Sequence, residues 1–247
     1  MIRLRRPSAE DALSAKTRAY LARKAVTATT FIPGDPRIAK SWASFLGTVA
    51  RRDVEAALDR YARGKCAYCE NVAAKDVEHF QPKTTYPVRM FAWDNFLRGC
   101  KNCNNAKVDR FPVDEFSERL LIDPSADDPL DYFVWDTMTG MTGVNPAPGR
   151  RPRATETRRL FGLDQEPLRE ERRMKLKVIL YLLARVVNES PVSLETRDLL
   201  REELLPNRPW LGIVRQLLRR PSPEHRPLVE AALEKLPDIR EWAADWL

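Results

Sequence analysis

Along most of this chain apolar positions return every three or four residues, and only the middle breaks into short runs bounded by Pro, Gly, Asn and Asp. Ser8 followed by Asp11 predicts a capped helix through about Ala25, ended by the segment TATTFIPGDP. A second helix is expected from about Ile38 to Ala62. There Trp42, Phe45, Leu46, Val49, Val54, Ala57, Leu58 and Tyr61 recur at helical spacing and read as core, and Gly64 stands where a left-handed cap belongs. KDVEHFQP and AWDNFLRG read as two short strands separated by a loop through Tyr86 and Pro87, and NNAKVDRF as a short helix stopped before Pro112. Residues 119–144 place turn residues between apolar runs, which predicts an extended segment and a hairpin turning near Gly140. NPAPGRRPRATE, rich in Pro and Arg, is the expected linker. Helical spacing then returns at about 154–161, with Gly162 after it, and at 167–187, 193–204, 208–219 and 223–235, before a short C-terminal helix with Trp242 and Trp246. The expected fold class is α+β, mostly helical around a small ββα core. Four regions follow: helical 1–64, the core at 65–112, an extended or hairpin segment at 113–150, and helical 151–247.

No run approaches the ~18 apolar residues of a membrane span, and the basic N-terminus has no apolar segment behind it. Neither a span nor a signal peptide is expected, and the expected location is cytoplasmic. A length of 247 residues at 43% apolar composition is enough for one large domain or two small ones. The net charge of +7 is uneven: residues 1–65 carry 14 basic and 6 acidic side chains, residues 66–149 carry 8 and 13, and the remainder carry 20 and 16. An acidic middle suits a cation, and basic flanks suit phosphates.

The chemistry is concentrated in that middle. All four cysteines of the chain stand there as two Cys-x-x-Cys pairs, Cys66/Cys69 and Cys100/Cys103. In a reducing compartment this spacing reads as a closed tetrahedral zinc site in preference to disulfides. A two-stranded hairpin with one helix buries too little surface to stand alone, and a structural zinc supplies on the order of 10–16 kcal/mol of apparent folding free energy. Between the pairs lie Glu78 and His79. Adjacent strand residues point to opposite faces, so the two can share a site only at a twisted strand end or a sheet edge. The only other histidine, His225 between Glu224 and Arg226, reads as an exposed helix residue.

Residues 66–111, CAYCENVAAKDVEHFQPKTTYPVRMFAWDNFLRGCKNCNNAKVDRF, resemble an HNH endonuclease core of the ββα-metal type framed by paired cysteines. The resemblance implies that Glu78 and Asn104 bind a divalent cation, that His79 is the general base, and that Asn95 holds the histidine's loop. Asparagine stands where the last histidine of the family name would be, and the neighbouring Asn105 is the alternative ligand. Oxygen donors favour Mg²⁺ or Mn²⁺ at this second site over zinc. Lys107, one turn beyond Asn104, is expected to meet a phosphate at the groove. The wider run VEHFQPK, YP, WDN, the second cysteine pair and LLIDPSADDP resembles the HNH nuclease subunit of Septu-type and retron-associated anti-phage systems. That implies an ABC-like ATPase partner. No Walker sequence occurs here, so any ATP dependence would come from another chain. The expected activity is metal-dependent hydrolysis of nucleic acid, DNA before RNA. The alternatives are a non-catalytic zinc-stabilised nucleic-acid-binding module and an RNA-cleaving HNH toxin.

Overall fold

The computed structural model describes all 247 residues. The fold is α+β and mostly helical, with two small antiparallel sheets of two strands each. The chain divides into two compact units, Leu4–Ala126 and a second made of Met1–Arg3 with Asp127–Leu247.

In the first unit, helices α1 (Ala9–Ala12), α2 (Ala15–Ala28), α3 (Arg37–Leu46) and α4 (Val49–Ala62) precede strands β1 (Asp76–His79) and β2 (Phe96–Gly99) and helix α5 (Lys101–Lys107). Each of the two helices expected here is a pair. Ser14 caps α2, its hydroxyl accepting from the Thr17 N–H, and Thr48 caps α4 by accepting from the Arg51 N–H. A hydroxyl that satisfies the orphan amides of a new helix competes with continuing the old one, while the apolar spacing runs through both segments. Past α4 the backbone turns through left-handed Arg63 and Gly64, which deliver the chain to the first cysteine pair. Val54, Ala57 and Leu58 of α4, Phe45 of α3 and Phe96 of β2 are buried in one core with Phe91 and Met90, and Trp42 packs against it. The ββα segment therefore rests on a helical floor.

β1 and β2 pair antiparallel in the register Asp76↔Gly99, Val77↔Arg98, Glu78↔Leu97 and His79↔Phe96. β2 begins later than expected, because Trp93–Asn95 form a single 3-10 turn. α5 follows β2 at once, with Cys100 as its N-cap.

The second unit holds the hairpin β3 (Phe133–Trp135) and β4 (Thr142–Val144), then α6 (Arg151–Leu160), α7 (Glu166–Asn188), α8 (Leu194–Glu203), α9 (Leu211–Arg219), α10 (Arg226–Lys235) and α11 (Asp238–Trp242). Gly140 turns the hairpin with φ +71°, and a Cβ there would collide with the Arg169 carbonyl. The 145–156 stretch is not a linker, and the division falls at 126/127. Arg151 and Arg153 belong to α6, which buries Ala154, Thr157 and Leu160, and Arg153 pairs with Asp127 at 2.5 Å. His225 is not an exposed helix residue either. It is the half-buried N-cap of α10, with Nδ1 3.1 Å from both the Thr137 and Ser222 hydroxyls. No helix is long and apolar enough to cross a membrane.

Candidate functional site

The four cysteines converge. All are buried and unoxidised, and their Sγ atoms lie within 4.8 Å of one another. The first pair sits on a turn fixed from both sides: the Cys66 N–H donates to the Asn71 carbonyl at 2.9 Å, and the Ala67 N–H donates to the Arg98 carbonyl of β2 at 2.8 Å. The second pair is set by α5, whose cap Cys100 accepts from the Cys103 N–H through Sγ at 3.5 Å. A tetrahedral ion with Zn–S bonds of about 2.3 Å spaces its sulfurs about 3.8 Å apart. Cys69 and Cys100 are 3.7 Å apart. Hydrogen bonds among the thiols also couple their ionisation. Hydrogen bonding from Cys103 leads the effects that hold Cys100 far below an ordinary thiol, while hydrogen bonding to Cys100 leads those that hold Cys103 and Cys69 far above it. Four thiolates at this separation need a cation between them, and the donor set fits a structural zinc.

Beside this cluster lies a cavity of about 250 Å3 bordered by Glu78, His79, Asn104 and Asn105, with Trp42, Lys83 and Asp109 among its other walls. His79 is the last residue of β1, so the strand-alternation objection is met at the strand end, where both Glu78 and His79 border one space. The His79 ring is buried against Trp42 and Phe96, at centroid distances of 4.5 and 5.4 Å. Its Nε2 lies 2.9 Å from the Met90 carbonyl. A carbonyl only accepts, so Nε2 carries the hydrogen and the neutral ring keeps its acceptor lone pair on Nδ1. Burial first, then the positive charge of Lys83, pushes the His79 pKa down to about 3. At neutral pH the imidazole is therefore unprotonated.

Asn95 does not border the cavity. Its Oδ1 accepts from the Gln81 N–H at 2.8 Å, and its Nδ2 donates to the carbonyls of Gln81 and Arg89 at 3.0 and 2.9 Å. One buried amide thus ties the chain leaving His79 to the segment that carries the Met90 carbonyl.

Glu78 is 3% exposed, and burial raises its pKa against the opposing charge of Lys107. Lys107 corrects the expectation of a groove lysine. It is fully buried, its Nζ lies 2.9 Å from Glu78 Oε1, and it donates to the His79 carbonyl at 2.7 Å. A side chain so enclosed and so bonded does not reach a nucleic acid. Tyr68, also fully buried, lies between the cysteines of the first pair and brings its hydroxyl to 3.4 Å from the same Glu78 oxygen.

Asn104 is half-buried, and its Nδ2 donates to Asp76 at 3.0 Å, which leaves Oδ1 as its acceptor; Asn105 is exposed. Gly99 makes this closeness possible: a Cβ there would stand 3.2 Å from Glu78 Cβ and 3.9 Å from Asn104 Cβ. A carboxylate and an amide oxygen beside a polar space suit a hard divalent cation. Asp76, Asp109, Lys83 and Tyr68 are site residues that the sequence reading missed. Strand alternation would have placed Asp76 on the Glu78 face, whereas no sequence signal marks Asp109, which follows α5.

What the site defines is a cysteine-held knuckle beside a polar cavity with an acid, an imidazole and amides. No protein-family model matches the chain. It is 33% identical over 84 residues to the Septu protein PtuB of Bacillus thuringiensis, a match that covers 32% of this chain and 31% of that protein. The similarity to this Septu component therefore spans about a third of either length.

Proposed function

We propose that this chain is a metal-dependent HNH-type endonuclease that hydrolyses phosphodiester bonds of nucleic acid, DNA in the first instance. In this reading it serves a Septu-type defence system together with an ABC-like ATPase. The observation that carries the reading is the cavity shared by Glu78, His79, Asn104 and Asn105, with the His79 acceptor nitrogen set free by the Met90 carbonyl. Glu78 and Asn104 would hold Mg²⁺ or Mn²⁺, which when bound supplies Lewis-acid stabilisation of the charge that grows on the phosphate and leaving oxygen. His79 takes the proton of the attacking water on Nδ1. Asn95 keeps that nitrogen aimed by pinning both backbone segments that set the ring. Lys107 opposes the burial that raises the pKa of Glu78 and so favours its ionised form.

The test is a cleavage assay on plasmid DNA and total RNA, with and without a candidate ATPase, across divalent cations. Added Mg²⁺ or Mn²⁺ switches on cleavage by the parent chain. His79→Ala lowers cleavage by about 10²–10⁴-fold, the usual reach of a positioned base, with zinc content and melting near those of the parent. Cleavage by the variant at the parent rate would remove the assignment of the base.

A further inference from the structure

With Lys107 enclosed, the cavity still has one basic side chain on its wall, and we infer that Lys83 is the residue that receives the scissile phosphate, with Trp42 as the platform that holds it there. This deepens the nuclease reading and rests on it.

Three observations converge on Lys83. First, the turn that carries it is fixed: Pro82 is buried, its carbonyl accepts from the N–H groups of Thr85 and Tyr86 at 3.2 and 2.8 Å, and the Gly34 N–H donates to the Thr84 carbonyl at 2.8 Å. The side chain therefore leaves the backbone from a set position four residues beyond His79, on the wall of the same cavity. Second, Lys83 Nζ stands 5.9 Å from the Trp42 ring centroid, and that ring stands 4.5 Å from the His79 ring. The cation and the proposed base thus both lie against one indole. Third, Lys83 forms no ion pair, although Glu78 feels its charge. Arg51 also lies over Trp42, at 5.4 Å, but is bonded to Glu55 at 2.8 Å, whereas no carboxylate pairs with Lys83. Glu78, the buried acid of this wall, is already matched by Lys107, and Asp109 borders the cavity without bonding Lys83. An unpaired ammonium held beside an imidazole and an acid–amide pair is suited to a phosphate oxygen, which it would contact as a point charge.

The experiment uses the full chain and reads binding apart from chemistry. Labelled duplex DNA and single-stranded RNA are titrated in EDTA at several salt concentrations, and cleavage is then measured with Mg²⁺ or Mn²⁺. Lys83→Gln is expected to weaken binding by about tenfold and to reduce the slope of log affinity against log salt by about one, the loss of one phosphate contact. Lys83→Arg restores the slope, and zinc content and melting of both variants match the parent. Cleavage by Lys83→Gln shows a raised KM with a smaller change in kcat. A parent chain that cleaves while Lys83→Gln keeps the parent's affinity and salt slope overturns this inference and spares the nuclease reading. A parent that binds but never cleaves, with binding weakened in Lys83→Gln, overturns the nuclease reading and reduces Lys83 to a phosphate contact with no scissile bond, and a parent that neither binds nor cleaves removes both.

Discussion

His79 shows how one side chain's surroundings set its chemistry. A free imidazole titrates near 6.5, but burial and the charge of Lys83 bring this one to about 3. As pH falls, a proton arrives on Nδ1 and the base is lost, so the limb of kcat/KM that belongs to His79 lies well below 6.5. Lys83→Gln removes one of the charges that depress it and moves that limb upward. A pH–rate profile of parent and variant with an acid limb fixed at 6.5 in both would contradict this account. At this scale the sequence was partly legible. The type and order of Glu78, His79, Asn95 and Asn104 could be read, and three of them border one space while Asn95 does not. Lys107 could not be placed, because a lysine in a polar run looks solvated until the fold shows that Glu78 and a strand-end carbonyl wait inside for it.

Between elements, spacing along the chain becomes closeness in space, and Gly99 is where that closeness is tightest. Gly99→Ala would push a methyl against Glu78 Cβ at 3.2 Å, and the acid must give by a few tenths of an ångström. Cleavage by Gly99→Ala is expected to fall by about tenfold or more, since small displacements of positioned groups are costly, while the melting temperature moves by only a few degrees. A second element-scale device joins α7 to α8. Glu189 accepts from the Ser193 N–H at 2.9 Å, from the Thr196 hydroxyl at 2.8 Å and from Arg185 Nε at 2.7 Å. The Ser193 amide leads the effects that lower its pKa from 4.5 to about 2. A depressed carboxylate stabilises the fold above its unfolded value and loses that contribution as pH falls from about 4.5 through about 2. Urea unfolding midpoints measured between pH 5 and pH 2 should therefore fall less steeply in Glu189→Gln than in the parent. Helix periodicity was readable over these elements, but the breaks at Ser14 and Thr48 were not. Their capping bonds compete locally with a pattern that stays apolar on the same face through both segments.

For the whole molecule, stability is unevenly supplied. The helices of each unit bury ordinary apolar cores, whereas the ββα segment has two four-residue strands and a seven-residue helix held at the cysteine cluster. Zinc removal or Cys100→Ser is expected to cost several kcal/mol in that segment, as loss of a structural metal does. Hydrogen exchange should rise across residues 66–107, together with loss of metal by elemental analysis. A folded, zinc-free Cys100→Ser with parental exchange there would show the cluster to be dispensable. The mostly helical α+β class followed from periodicity, but the division at 126/127 did not, because the turn-rich DPSADDP there reads like the other turns of 119–144, while the Pro and Arg-rich stretch further on looks more like a linker.

Tyr68 gives the knuckle a reach beyond its four sulfurs. Flanked by Cys66 and Cys69 in sequence, it touches the carboxylate of Glu78. An oxidant that closed the thiols into disulfides would release the ion, free this phenol from its seat and leave the acid without its neighbour. A change at the sulfurs is therefore expected to be felt at Glu78 as well as at the cluster.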